Sequence, residues 1–317
     1  MDKPYVVGID IGGQTSKIGV VDARGTVLRQ SSIRSDTRKD VNLYINDLCE
    51  AVIKLANEVG GMEKVRGIGV GAPNGNYYTG TIENAPNLTW GGENVIPFAK
   101  LVSDKLGVRV VLTNDANAAA VGEMTYGAAR GMRNFILITL GTGVGSGIVI
   151  NGEVVYGHDG FAGELGHTAA VRYNGRQCNC GKKGCIEAYA SAIGVARTAR
   201  EWLEMTDEPS ALREVFEELT SKDVYEAAVG GDALAKRVFE YTGKKLGESF
   251  SDFVAFSAPE AIVLFGGLAR SGDLLLKPVE DSMNANLMPL WKNKIKIIFS
   301  QLKESDAAIL GASALAW

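Results

Sequence analysis

From Tyr5 the chain runs Val6-Val7-Gly8-Ile9-Asp10-Ile11, breaks at Gly12-Gly13, and resumes as Ile18-Gly19-Val20-Val21 before Asp22. Two β-branched runs hinged on a glycine pair predict a hairpin. The same grammar returns at Phe135 to Leu140, Gly141-Thr142-Gly143 and Val144 to Ile150, with Gly12 and Gly141 in equivalent places. The chain therefore reads as a diverged duplication. Between the copies, Leu48, Val52, Leu55, Ala56 and Val59 recur at helical spacing and stop at Gly60-Gly61, and a buried strand is predicted from Val65 to Val70. Val108 to Thr113 predicts another strand, leading into Asn114-Asp115-Ala116-Asn117, whose short polar side chains suit a helix cap. The second half repeats the scheme with a helix from Asp232 to Phe256 and strands at Ala261 to Phe265 and Ile295 to Phe299. Asp306 is expected to cap a closing helix, and Asp207 to Asp223 to form a polar surface excursion. Alternating strands and helices of this kind make an α/β protein of two domains with mixed sheets.

Composition narrows the function classes. A length of 317 residues with 46% hydrophobic and 22% charged positions suits two cores rather than a disordered or fibrous chain. The net charge is -4, with no Lys/Arg block, so neither a nucleic-acid nor an anionic-membrane surface is expected. No apolar stretch approaches the ~18 residues of a membrane span. The N-terminus leads straight into a strand, so no signal peptide is expected and the cytoplasm is the expected compartment. Glycine is in excess, 39 residues where about 22 would be average, and clusters beside apolar runs. That placement suggests backbone loops that approach ligands closely.

Three constellations could carry chemistry. Cys178, Cys180 and Cys185 form a knuckle of three thiols too dense for a disulfide framework in a chain this long. With one more ligand they could hold a tetrahedral zinc ion, and of the two histidines His167 lies nearer than His158. Such a closed site is structural and does not activate water. The paired glycine turns offer backbone amides as a concave donor surface for phosphate oxygens. Neither a Walker G-x-x-x-x-G-K-[S/T] nor a Rossmann G-x-G-x-x-G match occurs. Finally, Asn114-Asp115 ends a strand, where open α/β sheets place their ligands, and a carboxylate near bound phosphate can accept a hydroxyl proton.

Together these residues resemble the ROK family of sugar kinases and repressors, in the superfamily of sugar kinases, heat-shock proteins and actin, from Tyr5 to the C-terminus. The most specific stretch is Gly163-Glu164-Leu165-Gly166-His167 followed by Cys178-Asn179-Cys180-Gly181-Lys182-Lys183-Gly184-Cys185-Ile186-Glu187, similar to the family pattern E-x-G-H…C-x-C-G-x-x-G-C-x-E. The resemblance implies a two-domain actin-like ATPase (ribonuclease H-like) fold closing over an interdomain cleft. On that pattern residues 1–117, completed by 304–317, form a small domain, and 118–303 form a large domain with a zinc knuckle at 167–187. It implies Asp115 as general base, and Asn87, Asn114, Glu164, His167 and Glu187 as sugar contacts. His167 would serve zinc and sugar at once, beside Cys178, Cys180 and Cys185. Gly12, Gly13, Thr15, Gly141, Thr142 and Gly143 would cradle phosphates, Asp10 would lie near phosphates and magnesium, and Gly266-Gly267 would meet adenosine. ATP with magnesium, a structural zinc and a homodimer complete the implied picture. Gln14 departs from the family threonine in the first turn, with Thr15 one position later.

Within that resemblance the expected activity is glucose phosphorylation at the 6-hydroxyl, a step of glycolysis, because Ala85-Pro86-Asn87-Leu88, Glu164, His167 and Glu187 are similar to the glucokinase branch. Kinases for N-acetylmannosamine, N-acetylglucosamine, allose or fructose share most of these residues. A sugar-sensing repressor would need a DNA-binding module ahead of the first strand, which here starts at Tyr5. A sugar sensor without catalysis does not account for Asp115 and the second phosphate turn.

Overall fold

A computed structural model describes residues 3–317. The first sheet is built from β1 (Tyr5–Ile11), β2 (Thr15–Asp22), β3 (Val27–Arg34), β4 (Val65–Gly71) and, after the short strands β5 (Gly75–Asn76), β6 (Thr81–Glu83) and β7 (Val95–Ile96), β8 (Val110–Thr113). Its order is β3-β2-β1-β4-β8, antiparallel on the hairpin side and parallel from β1 through β4 to β8. The second sheet takes β9 (Phe135–Leu140), β10 (Val144–Ile150), β11 (Glu153–Val154), β12 (Ala261–Phe265) and β13 (Lys296–Phe299) in the order β11-β10-β9-β12-β13. Each position in the first order has its counterpart in the second. The mixed α/β class and the repeated strand-turn-strand unit expected from the sequence are both present.

Helix α1 (Val41–Asn57) starts where Asp40 accepts the Asn42 N–H and lays Tyr44, Ile45, Leu48, Val52 and Leu55 on the first sheet. Helix α2 (Phe98–Leu106) adds Phe98 and Val102 to the same core and packs along β8. Helix α3 (Asp115–Tyr126) is capped by Asn114, as its short polar side chain suggests. Beyond it come α4 (Glu187–Ala190), α5 (Ala192–Met205), α6 (Ser221–Val229), α7 (Ala233–Ser257), α8 (Asp273–Asn286) and α9 (Glu304–Ala314). Asp306 does not cap α9: the helix starts two residues earlier and the Asp306 N–H already bonds Lys303 O, so its carboxylate sits in the first turn. A negative charge there still favours the helix through the macrodipole. The polar stretch 207–223 contains a 3-10 segment, Ala211–Glu218, that buries Leu212.

Helix α9 lies on the opposite face of the first sheet, with Ile309 and Leu310 against Val6 and Val21. The approach is unusually close because Gly8 and Gly69, paired across β1 and β4, have no side chains. A Cβ at Gly8 would stand 2.1 Å from Ile309 O, and one at Gly69 would stand 1.8 Å from Ala312 O.

The chain divides into two compact units. The first runs to Met132 and takes in Gly147–Gly163 and Ser300–Trp317; the second comprises Arg133–Ser146 and Glu164–Phe299. The division differs from the expected boundary at 117, because α3 continues past that point and packs on α9, with Gly122 against Gly311. A methyl group at Gly69 should cost at least ~2 kcal/mol, since backbone carbonyl cannot yield as a side chain can. Chemical denaturation of Gly69→Ala checks this; wild-type stability would show that α9 can lift without cost.

Candidate functional site

In the first unit, parallel register aligns Asp10 of β1 with Gly71 of β4, and Gly71 with Thr113 of β8. The carboxyl ends of three strands thus lie side by side, the edge at which such sheets place ligands. Asp115 follows directly and opens α3, its Oδ1 accepting the Ala116 N–H at 2.8 Å while Asn114 Oδ1 accepts from Asn117 N at 2.8 Å. Solvent reaches Asp115, yet the protein crowds it: desolvation raises its carboxyl above the usual carboxylate range, against the lowering pull of the Ala116 N–H. Asp10 is pushed up to about 6, first by burial and then by the Asp115 charge, with Lys17 across the hairpin pulling the other way.

The first glycine turn joins β1 to β2 beside these acids. Gly12 N–H donates to Thr15 O at 3.1 Å, and Ser35 N–H holds Gln14 O at 2.9 Å. The Gln14 and Thr15 side chains are exposed. Gly13 abuts the backbone of Asn87, whose carbonyl lies 2.9 Å from where a Cβ would stand. This unit therefore brings Asp10, Gly12, Gly13, Thr15, Asn87, Asn114 and Asp115 to one end of the first sheet.

The second unit holds the other candidates. Gly141 N–H donates to Gly143 O at 3.0 Å and closes the second turn. The N–H groups of Thr142 and Gly143 have no protein acceptor among the described residues. Glu187 reaches this turn: its Oε2 accepts the Val144 N–H at 2.9 Å. Glu164 precedes, and His167 ends, a 3-10 turn, Leu165–His167, seated on β10 through the Leu165 N–H to Ser146 Oγ bond of 3.0 Å. Gly266 adopts φ +103 where the end of β12 meets Leu140, and Gly267 is open to a 420 Å³ recess bordered by Tyr225, Leu268, Arg270 and Ser271.

His167, Cys178, Cys180 and Cys185 converge as their spacing suggested, with one ligand atom from each lying within 4.8 Å of all the others. Cys180 and Cys185 sulfurs are 3.6 Å apart, and Cys178 Sγ is 3.7 Å from His167 Nδ1. Tetrahedral geometry with metal–sulfur bonds of ~2.3 Å and metal–nitrogen bonds of ~2.0–2.1 Å places donors roughly 3.6–3.8 Å apart, so three thiolates and an imidazole fit a divalent metal. His158 is not among them.

Some groups around the site carry no local signal in the sequence. Arg176, nearly buried, anchors the knuckle through Glu201 at 2.5 Å, Ala188 O at 3.0 Å and Thr198 Oγ1 at 2.8 Å, with its guanidinium over Tyr189. Its partners lie 12 to 25 residues away. Beneath the first turn, Ser16 Oγ meets Ser35 Oγ at 2.7 Å and Tyr44 Oη at 2.6 Å in a buried hydroxyl cluster. Tyr77 stacks on Tyr156 with ring centroids 4.0 Å apart; the adjacent Tyr77-Tyr78 pair was the available hint, but not its partner.

The ROK family pattern matches residues 6–317. The chain belongs to the ROK family. Among ROK relatives, the glucokinase of Halalkalibacterium halodurans is 35% identical over 98% of this chain and 94% of that protein. The xylose repressor of Caldicellulosiruptor bescii is 29% identical over 99% of this chain but only 78% of its own length. In three dimensions the chain is similar to a ROK family glucokinase from Streptomyces griseus crystallised with glucose and AMPPNP, with a TM-score of 0.79, 32% identity and 98% of each chain covered. The fold is the actin-like ATPase fold expected from the sequence. No helix among the described residues is long and apolar enough to cross a membrane.

Two measurements follow from this geometry. Metal analysis should return about one divalent ion per chain, and Cys180→Ser should lose it; a metal-free protein with an ordered knuckle would show that the thiols serve packing alone. For Asp10, a native pKa near 6 against an ordinary 3.8 means that the folded state holds a proton the unfolded state releases. Its contribution is favourable below about pH 4 and is lost as pH rises through 6, leaving a buried charge that costs on the order of 2–3 kcal/mol. Asp10→Asn should therefore stabilise the ligand-free protein at pH 8 but not at pH 4, as read by urea denaturation. Equal effects at both pH values would refute the shift.

Proposed function

We propose that this chain transfers the γ-phosphoryl group of ATP to the 6-hydroxyl of a hexose, with glucose preferred and Asp115 as general base. The observation that carries the reading is Asp115 itself: a carboxylate of raised proton affinity at the carboxyl end of β8, in the same unit as the first glycine turn and Asp10. The glucokinase relatives, and the S. griseus complex with glucose and AMPPNP, support the donor and the acceptor.

In this reading the sugar hydroxyl gives its proton to Asp115 as its oxygen bonds to the γ-phosphorus, and the bond from that phosphorus to the bridging oxygen of ADP breaks. Asn87, Asn114, Glu164, His167 and Glu187 hydrogen-bond the other hydroxyls, since carboxylates and amides can satisfy groups that both donate and accept. The Thr142 and Gly143 amides, with Gly12, Gly13 and Thr15, face phosphate oxygens, and Gly266-Gly267 leaves room for a purine. Magnesium bound with ATP would neutralise phosphate charge, and an ionised Asp10 would help hold it. The knuckle takes zinc through His167, Cys178, Cys180 and Cys185, fixing the His167 ring so that its other nitrogen can meet sugar. The reading includes a cytoplasmic homodimer.

The decisive assay is ADP release with Mg-ATP across glucose, mannose, allose, fructose, N-acetylglucosamine and N-acetylmannosamine. A glucose-dominated response is expected; dominance of another sugar would correct the acceptor, and silence would overturn the kinase reading. Asp115→Ala should lower kcat by about two or more orders of magnitude while sugar affinity is largely kept. Near-normal turnover would remove Asp115 from the base role.

A further inference from the structure

Glu187 is expected to touch sugar, yet one of its two carboxylate oxygens is already committed elsewhere. Oε2 accepts the Val144 N–H at 2.9 Å, and a Cβ at Gly143 would come within 2.5 Å of that same oxygen. The second turn therefore has a glycine where the carboxylate enters. Five residues on, the same segment grips the turn again, Ala192 N–H donating to Gly141 O at 2.8 Å. Oε1 points the other way, 3.5 Å from Cys178 Sγ at the knuckle. A rigid planar group thus has one oxygen on the turn and the other free to change partners, while the Thr142 and Gly143 amides of that turn take no protein acceptor among the described residues.

The geometry points to Glu187 as a positioning residue that links the acceptor to the nucleotide: a sugar hydroxyl on Oε1 fixes the carboxylate plane, holds Oε2 on Val144, and so sets the turn on which phosphates dock. The inference rests on the function proposed above and adds to it a reciprocal coupling of the two affinities. Linkage requires that whatever factor sugar contributes to nucleotide binding, nucleotide returns to sugar.

The test is calorimetric titration of MgADP into the metal-loaded protein with and without saturating glucose. In the wild type, glucose should tighten MgADP roughly tenfold, within the usual range for coupled sites. Glu187→Ala should bring that factor near one at saturating glucose, and Glu187→Gln, which keeps an oxygen for the Val144 N–H, should restore much of it. Amide exchange in the wild type gives a reading that needs no variant: glucose alone, without nucleotide, should slow exchange at Val144. Full coupling in Glu187→Ala, no coupling in the wild type, or unchanged Val144 exchange would each overturn the link and leave the kinase reading standing. Failure of MgADP to bind any form would overturn the nucleotide reading, and the link with it.

Discussion

Backbone lying directly on backbone is the constraint on which the first unit depends. Gly8 and Gly69 leave the sheet bare just where the carbonyls of Ile309 and Ala312 pass over it, and Gly122 meets Gly311 where α3 crosses α9. The gain is density, since carbonyls and Cα atoms fill space that side chains would otherwise keep open. Helix α9 thereby covers β1 from far along the chain, so this face of the first sheet is closed only by a contact of long sequence separation. Such long-range closure is slow to form, since loop entropy is spent before the contact returns it. The arrangement also leaves little slack in β1 and β4, the strands whose carboxyl ends present Asp10 and Gly71.

That rigidity matters because the strand ends hold groups that do not favour being there. Burial and the Asp115 charge raise Asp10 against the pull of Lys17, and desolvation raises Asp115 against the Ala116 N–H and its own backbone N–H. A protein evolved for stability alone would place neutral residues at these positions. Two acids held apart from full hydration, at the edge where ligands bind, are instead poised to receive a cation and a proton, which is the pattern expected of a functional site. The stability lost locally is supplied by packing elsewhere, in the apolar layer of Tyr44, Leu48, Val52 and Phe98 beneath the same sheet.

How much of this is legible in the sequence depends on the range of the interaction. The hairpins, α1, the strand Ala261–Phe265, the cap at Asn114 and the knuckle ligands are local patterns, repeating every two or four residues or confined to one loop, and the structure has them where the pattern puts them. The start of α9 shifts because Asp306 suits the first turn as well as the cap, and no local rule separates the two. Arg176, the Ser16–Tyr44–Ser35 cluster and the Tyr77–Tyr156 stack join residues 12 to 79 positions apart. Their identities are ordinary, and only the fold gives them partners.

The two sheets share one strand order but have drifted apart in chemistry, and the drift has a physical logic. In the first, the acids stand on strand ends, where their charge is close to any ligand and their proton affinity is raised. In the second, the turn after β9 has no acid of its own; its carboxylate comes from Glu187, on a segment tied to the knuckle by Arg176 and Cys178. A side chain borrowed from another element can be repositioned by whatever binds that element, whereas one built into the strand cannot. On the function proposed above, a duplicated scaffold would supply both kinds of group: fixed charge where a proton is taken, and a contact from another element where one binding event influences another.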